Sequence, residues 1–515
     1  MRPRTEAAGD RPPPAWLAPW LALLPVAYVI SPLALLALGY LRAWPRAAWW
    51  VVGFYALTQQ LSALLSPEPL LASLLAAART LLMLGMMAVG LALRDTAPLR
   101  PLIWGLALTV LIAVGYTLYR GADLATLRPE HPYFTTVSLG LVGAVGLWLT
   151  LFTGGKLLWR VPLGVLFAAI LLFSGSRGPL LAALVGIAAA LLLRFSRRAL
   201  GGALAAAVLL AGGLVWAQRQ DLGAVTRLLS VDTSGRDLIW ADTLSVIRSE
   251  PVSGVGSYLL GSALSAPGQA CQLWSNRGVP QPCPEWLAPL GNPWRTAHNF
   301  TLQQLAETGP LGLLGLFVLV GAVLAATFTS RDPLGVAVVT GLLTASLTDV
   351  TVLVPSPFFA ELFWMVAGVQ LMRLHGLGFP AILTVPPALL VLSLPALILV
   401  TPPPRSPSIA LTFLNAPRTV TGHRYTLYAQ FRGAAGVYRV SVRSCAPACV
   451  TLVTTPVQIG PAGSALSALP LSLRPVAQQQ LQLRLYPAES TADPRPLAQR
   501  EWTVQRQADR NRPEP

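Results

Sequence analysis

The stretch TAHNFTLQQLAETGPLGLLGL, residues 296–316, opens on a polar His-Asn pair and closes on an apolar run of membrane grade. Gly309-Pro310 divides it. Proline lacks an N–H and suits a first helical turn, so the pair ends one helix and begins another. The first half reads as a short helix capped by Thr296, with His298, Leu302 and Leu305 sharing a face at i, i+4, i+7 spacing. The second half reads as a span near 310–328. An ionisable histidine beside a membrane-entering helix draws its meaning from the side it faces and from what else stands there.

Composition supports the membrane reading. Only 11% of the 515 residues are charged, against about 25% in soluble domains, so much of the chain faces something other than water. Apolar runs near 15–29, 31–41, 47–65, 69–93, 100–118, 134–152, 159–173, 179–193, 199–217, 310–328, 333–350, 355–372 and 381–400 read as spans. The first two, split by Ser31-Pro32, are short enough to form a half-buried hairpin. The net charge of +16 could suggest nucleic acid, but the basic residues are scattered through short loops between these runs. Cytoplasmic loops collect Lys and Arg. With the N-terminus inside, RAWPR (42–46), RDTAPLR (94–100), TGGKLLWR (153–160), RFSRR (194–198), SRDP (330–333) and RLHG (373–376) all fall on that side. The first apolar stretch has no small-residue cleavage site and leads into more membrane, so no removable signal is expected.

The expected class is an all-α polytopic membrane protein of about 12–13 transmembrane helices with a C-terminal extracytoplasmic β-sandwich. Its parts are a cytoplasmic tail (1–14), an N-terminal bundle (15–217), a large extracytoplasmic loop (218–309), a C-terminal bundle (310–400), a Pro-rich linker TPPPRSPS (401–408), the β-sandwich (409–505) and a disordered tail (506–515). Beyond the linker, SIALTFLN, HRYTLYAQF, GVYRVSVRSC, CVTLVTTPVQI, LQLRLYP and EWTVQR alternate with period two, giving about six or seven strands. Cys271, Cys283, Cys445 and Cys449 all lie in segments assigned outside, as two local pairs. Two disulfides in an oxidising compartment fit this pattern; zinc is the rival, but no histidine sits at ligand spacing beside either pair.

Three basic residues share the outer side. Arg177 in FSGSRGPLLAALVG stands at the mouth of a span, where Gly175 and Gly178 free the backbone and Pro179 suits a first turn. Taken alone, it reads equally as an interfacial arginine that snorkels to headgroups. Arg236 opens a helix running to about Ser249, capped by Thr233 or Ser234 and stopped by Pro251. A cation in a first turn opposes the helix dipole, which favours an anion shared with the helix end over an ion pair with Asp232 or Asp237 only evenly. His298 is the third. Two arginines neutralise a diphosphate through charge-assisted bonds, and a histidine takes a proton from a hydroxyl near neutral pH. A diphosphate at a membrane surface needs a lipid anchor, and polyprenol is the bacterial one, so glycosyl transfer from a lipid diphosphate fits.

SGSRGPLLAALVG (174–186), GRDLIWADTLSVIRSEPVSGVGS (235–257) and AHNFTLQQLAETGPLGLLGL (297–316), in this order, resemble the core of the O-antigen ligase and Wzy-like polymerase superfamily. The resemblance covers roughly residues 170–330 and, in topology, extends to about 400. It implies a metal-independent transferase, with no cofactor, using an undecaprenyl-diphosphate-linked glycan as donor and a glycolipid, glycan or protein as acceptor. Arg177 and Arg236 would hold the diphosphate, and His298 would activate the acceptor or touch the diphosphate. Ser176, Gly235 and Asn299 would support them. Arg79, costly inside the span 69–93 unless it faces a polar cavity, would be a further phosphate contact; Arg120 and Arg128 are weaker candidates that a solvated loop explains. The β domain departs from the simplest family pattern. Ligase, repeat-unit polymerase and protein O-oligosaccharyltransferase all remain open. A lipid-linked sugar flippase is disfavoured by the lack of a clear internal repeat, and a membrane protease at Ser176 by the poor placement of His298 as its base.

Overall fold

The computed structural model describes residues 13–119, 129–194, 236–264, 275–276, 279–280, 295–353, 356, 358–374, 410–413, 419–421, 424–434, 436–445, 449–459, 464–474, 476, 478–488 and 496–507. The expected spans 199–217 and 381–400 and the linker 401–408 lie outside them. The helices are α1 (Leu17–Leu23), α2 (Arg46–Leu64), α3 (Pro69–Leu93), α4 (Leu102–Tyr119), α5 (Thr136–Phe152), α6 (Leu157–Phe173) and α7 (Arg177–Arg194). After these come α8 (Arg236–Ser249), α9 (Leu260–Ala263), α10 (Phe300–Ser330), α11 (Pro333–Ser346) and α12 (Phe359–Leu371). Between α1 and α2, Tyr28–Ala43 forms a 3-10 helix with Pro32 inside it. The two expected N-terminal spans are therefore one short α-helix and one 3-10 segment, because a proline within the run removes an α-helical hydrogen bond.

Among the described residues, three helical segments are long and apolar enough to cross a membrane: Pro69–Leu93, Ala97–Tyr119 and Phe300–Ser330. At 1.5 Å per residue, a helix the length of α3 reaches about 37 Å, more than a hydrocarbon core of about 30 Å. Six shorter apolar helices accompany them. Trp50, Leu57 and Leu64 on α2, Leu70 and Leu74 on α3, and Trp104 and Leu111 on α4 stand exposed. A girdle of that size is unfavourable in water and is what a lipid-facing surface requires.

The Gly309-Pro310 break is present. The α10 segment bends at Gly309, whose φ of 60° and ψ of −172° are non-helical. Pro310 has no N–H to offer the Ala306 carbonyl, so the last turn of the first half would be left with unsatisfied acceptors. The segment 251–257 fills that gap: Val255 N–H donates to Ala306 O at 2.9 Å and Gly256 N–H to Glu307 O at 2.8 Å. A Cβ at Gly309 would overlap the Val252 carbonyl. Pro251 thus ends α8, and the glycine-rich turn behind it closes the kink in α10.

The C-terminal region is built from β3 (Ala410–Phe413), β4 (Thr419–Thr421), β5 (Arg424–Arg432), β6 (Gly436–Cys445), β7 (Cys449–Ile459), β8 (Ser464–Ser472), β9 (Gln478–Pro487) and β10 (Ala498–Gln507); a short hairpin, β1 (Ser275–Asn276) with β2 (Val279–Pro280), precedes α10. One sheet has the order β4-β10-β9-β6-β7 and the other β3-β5-β8. Both contribute to one core that includes Leu427, Phe431, Val440, Leu469, Leu483 and Val504. The described residues of this region form eight strands, against the expected six or seven. The three-residue β4 and the serine- and alanine-rich β8 were not legible as strands. Pro470 in β8 is tolerated because β8 is an edge strand. β10 runs through Gln507, two residues into the stretch expected as a tail. Cys445 and Cys449 face each other across the β6–β7 turn and form a disulfide; Cys271 and Cys283 lie outside the described residues.

Candidate functional site

The site is assembled around the turn that follows α11. The apolar run expected as a span to residue 350 stops being helical at Ser346, because side-chain hydroxyls compete for the last carbonyls. Ser346 Oγ and Thr351 Oγ1 bond at 2.6 Å, and Thr351 Oγ1 donates to Leu342 O at 3.0 Å. Trp364 Nε1 donates to Val352 O at 2.9 Å and pins the turn to α12. Asp349 lies inside this braced turn, with its Oδ1 accepting from Val350 N–H at 2.9 Å.

Three separate elements reach that turn. Asn299 is the N-cap of α10: its Oδ1 accepts from Leu302 N–H at 3.0 Å while its Nδ2 donates to Leu347 O at 2.9 Å. Thr296 is therefore not the cap. Starting the helix at Phe300 leaves His298 before the N-cap and off the face of Leu302 and Leu305, which pack into an apolar cluster with Val246 and Ile247. His298 adopts a left-handed φ of 48°, a strained conformation for a residue with a Cβ. The strain brings Nδ1 to 3.4 Å from Asp349 Oδ1. Arg236, the first residue of α8, is near enough for its charge to act on Asp349. The start of α7 completes the set: a Cβ at Gly178 would meet Thr348 Oγ1, so the exposed Arg177 beside it emerges next to the same turn. Ser176 is buried, with its hydroxyl donating to Ser174 O at 3.3 Å, and Gly175 supplies the positive φ that the turn into α7 needs.

Burial raises the Asp349 carboxyl, but the hydrogen bond and charge of His298, the Val350 N–H and the charge of Arg236 outweigh it and hold the group below the usual carboxylate range. Asp349 is thus a carboxylate at neutral pH. Its side chain is 24% exposed and that of His298 37%, so both are open enough to meet a ligand. In sequence Asp349 stands at the end of an apolar run, which gives it no local mark as a site residue.

Arg79 is not part of this group. It is 2% exposed within α3, where its Nη2 donates to Glu307 Oε2 at 2.6 Å and its guanidinium lies 3.9 Å from the centroid of the Tyr258 ring. Gln303 Nε2 donates to Glu307 Oε1 at 2.6 Å, and Gln303 Oε1 accepts from Ala297 N–H at 2.7 Å. The buried cation is neutralised by Glu307, and the same network ends on the residue before His298. Neither Glu307 nor Tyr258 was singled out by sequence. A Glu two positions before Gly309 offered the one available signal. Gly235, Arg120, Arg128, Thr233 and Ser234 lie outside the described residues.

These features define an integral membrane protein with two cationic side chains, an imidazole and a carboxylate gathered at one end of its helices. Residues 162–317 match the family model Wzy_C, described as O-antigen ligase. The matched segment contains most of α6, all of α7 and α8 and the kink of α10, and with them Arg177, Arg236 and His298. On this match residues 162–317 are similar to an O-antigen ligase domain, which supports the O-antigen ligase and Wzy-like family for that part of the chain. No curated protein matches the chain.

Proposed function

We propose that this protein transfers a glycan from undecaprenyl diphosphate to an acceptor hydroxyl at the outer face of the bacterial cytoplasmic membrane. The observation that carries this reading is the meeting of Arg177, Arg236 and His298 with Asp349 at one turn. Arg177 and Arg236 bind the diphosphate and offset the charge that grows on it as it leaves. His298 holds Asp349 at Nδ1, which directs Nε2 toward the acceptor. The acceptor oxygen bonds to the anomeric carbon while the bond from that carbon to the diphosphate oxygen breaks. The acceptor proton passes to Nε2, and the lipid diphosphate departs with the electron pair. No residue in this scheme requires a metal ion, so the reaction is proposed to be metal-independent.

The orientation follows from the basic loops and from the Cys445–Cys449 disulfide, which favours an oxidising compartment for the β region. The shorter apolar helices complete a multi-pass bundle, and the two sheets with a shared core are read as a sandwich.

The test is transfer by the purified protein from a defined lipid-diphosphate glycan in the presence of a chelator. Wild type yields product, whereas Arg236→Ala and His298→Ala yield far less. Mass spectrometry then assigns the acceptor: a ladder of repeats means polymerase, and single addition to lipid or protein means ligase or protein glycosyltransferase. Donor movement across liposomes without a covalent product would replace the transferase reading with a flippase.

A further inference from the structure

Asp242 joins three parts of the molecule. It sits near the middle of α8 and is only 6% exposed, where an unpaired carboxylate would be costly. Its Oδ2 accepts from Gln430 Nε2 at 2.6 Å, and its Oδ1 lies 3.1 Å from Arg432 Nη2. Both partners belong to β5. Arg295 Nη2 lies 3.9 Å from Asp242 Oδ2, and Arg295 precedes His298 on the short segment that leads into α10. Burial raises the Asp242 carboxyl, while Arg432, Arg295 and Gln430 oppose that rise.

The geometry of α8 makes this contact more than a surface pairing. Six positions separate Arg236 from Asp242, about 240° around a helix and about 9 Å along it. The two side chains therefore leave α8 in different directions, one toward Asp349 and one toward the β region. Val246, one turn on from Asp242, lies close to the same side, and Val246 and Ile247 both join the apolar cluster with Leu305 and Leu313. The helix is held through Asp242 and through this cluster, and Arg236 leaves it on a different side from Asp242.

We propose that the C-terminal β region is a positioning clamp for the transfer site: Gln430 and Arg432, through Asp242, fix α8 and the 295–299 segment relative to each other so that Arg236 and His298 meet at the same turn. The clamp turns an appended domain into part of the site's support, although it touches no substrate. It deepens the transferase reading and rests on it only for the kinetic arm of the test.

The experiment uses the full-length protein in lipid nanodiscs and compares wild type, Arg432→Met, Gln430→Ala with Arg432→Met, and Arg432→Lys. Hydrogen exchange is read on peptides covering 236–249 and 295–299. The loss of a charged hydrogen bond predicts roughly tenfold faster exchange in both peptides for the Met variants, with membrane helices and the other strands unchanged. Arg432→Lys keeps the charge and restores most of the protection. In glycan transfer, kcat/KM falls about tenfold in the Met variants, with kcat carrying the larger part, because misalignment acts on the transition state. Unchanged exchange at 236–249 and 295–299 in the double variant overturns the clamp. So does faster exchange confined to β5, or loosened peptides with wild-type kcat/KM. If wild type transfers no glycan at all, the transferase reading fails instead, and the exchange comparison still decides the clamp.

Discussion

At the scale of single residues, His298 and Asp349 form the pair on which the proposed chemistry depends. Removing a positioned general base costs about 10²–10⁴-fold in rate, so His298→Ala is expected to lose transfer by that factor while still binding the donor. Equilibrium binding of a labelled donor beside single-turnover kinetics separates the two effects. Asp349 provides a pH test of the geometry itself. Its carboxyl is held low in the folded protein, so its stabilising contribution is present above the unfolded value and is lost as pH falls through the lower folded one. The melting temperature of Asp349→Asn should lie below that of wild type by a constant gap at neutral pH, and the gap should close as pH drops below about 4. A gap that widens toward acid would mean that Asp349 is not a stabilised carboxylate. His298 was legible because an ionisable group beside an apolar span invites explanation. Asp349 was not: its partner is 51 residues away in sequence, and composition alone placed it inside a span.

At the scale of elements, the kink in α10 joins the bundle to the site. Gly309 combines a positive φ with an extended ψ and touches the Val252 carbonyl. Such backbone is tolerated almost only by glycine, so Gly309→Ala is expected to destabilise by about 1–3 kcal/mol, measured by chemical denaturation in micelles. The break was readable from Gly-Pro punctuation, whereas the hydrogen bonds from Val255 and Gly256 that satisfy its free carbonyls depend on a contact between distant segments. The helix start was misplaced for a related reason. Thr296 and Asn299 are both competent caps by residue type, and the bond from Asn299 to Leu347 selects the second. Beneath the kink, Arg79 and Glu307 form a buried ion pair. Removing one partner leaves the other as an uncompensated charge, so Glu307→Ala should cost about 3–5 kcal/mol, and adding Arg79→Ala should recover part of that loss. A double variant worse than the sum of the two singles would contradict this role.

At the scale of the whole molecule, the chain joins an apolar helical bundle to a β region of eight strands among the described residues, and the segment similar to O-antigen ligase, residues 162–317, precedes that β region. Hydropathy and period-two alternation separated these halves cleanly, because each reports burial against a different surroundings. The contact between them, Asp242 with Gln430 and Arg432, left no mark in sequence: no local pattern announces which carboxylate a distant arginine will meet. In the proposed transfer, Arg177 and Arg236 grip one diphosphate. Binding of undecaprenyl diphosphate, the released product, to the purified protein tests it most directly. Arg177→Ala and Arg236→Ala should each weaken binding by roughly tenfold or more, the value of a charge-assisted hydrogen bond, while His298→Ala leaves it nearly unchanged. Wild-type affinity in both arginine variants would contradict the claim.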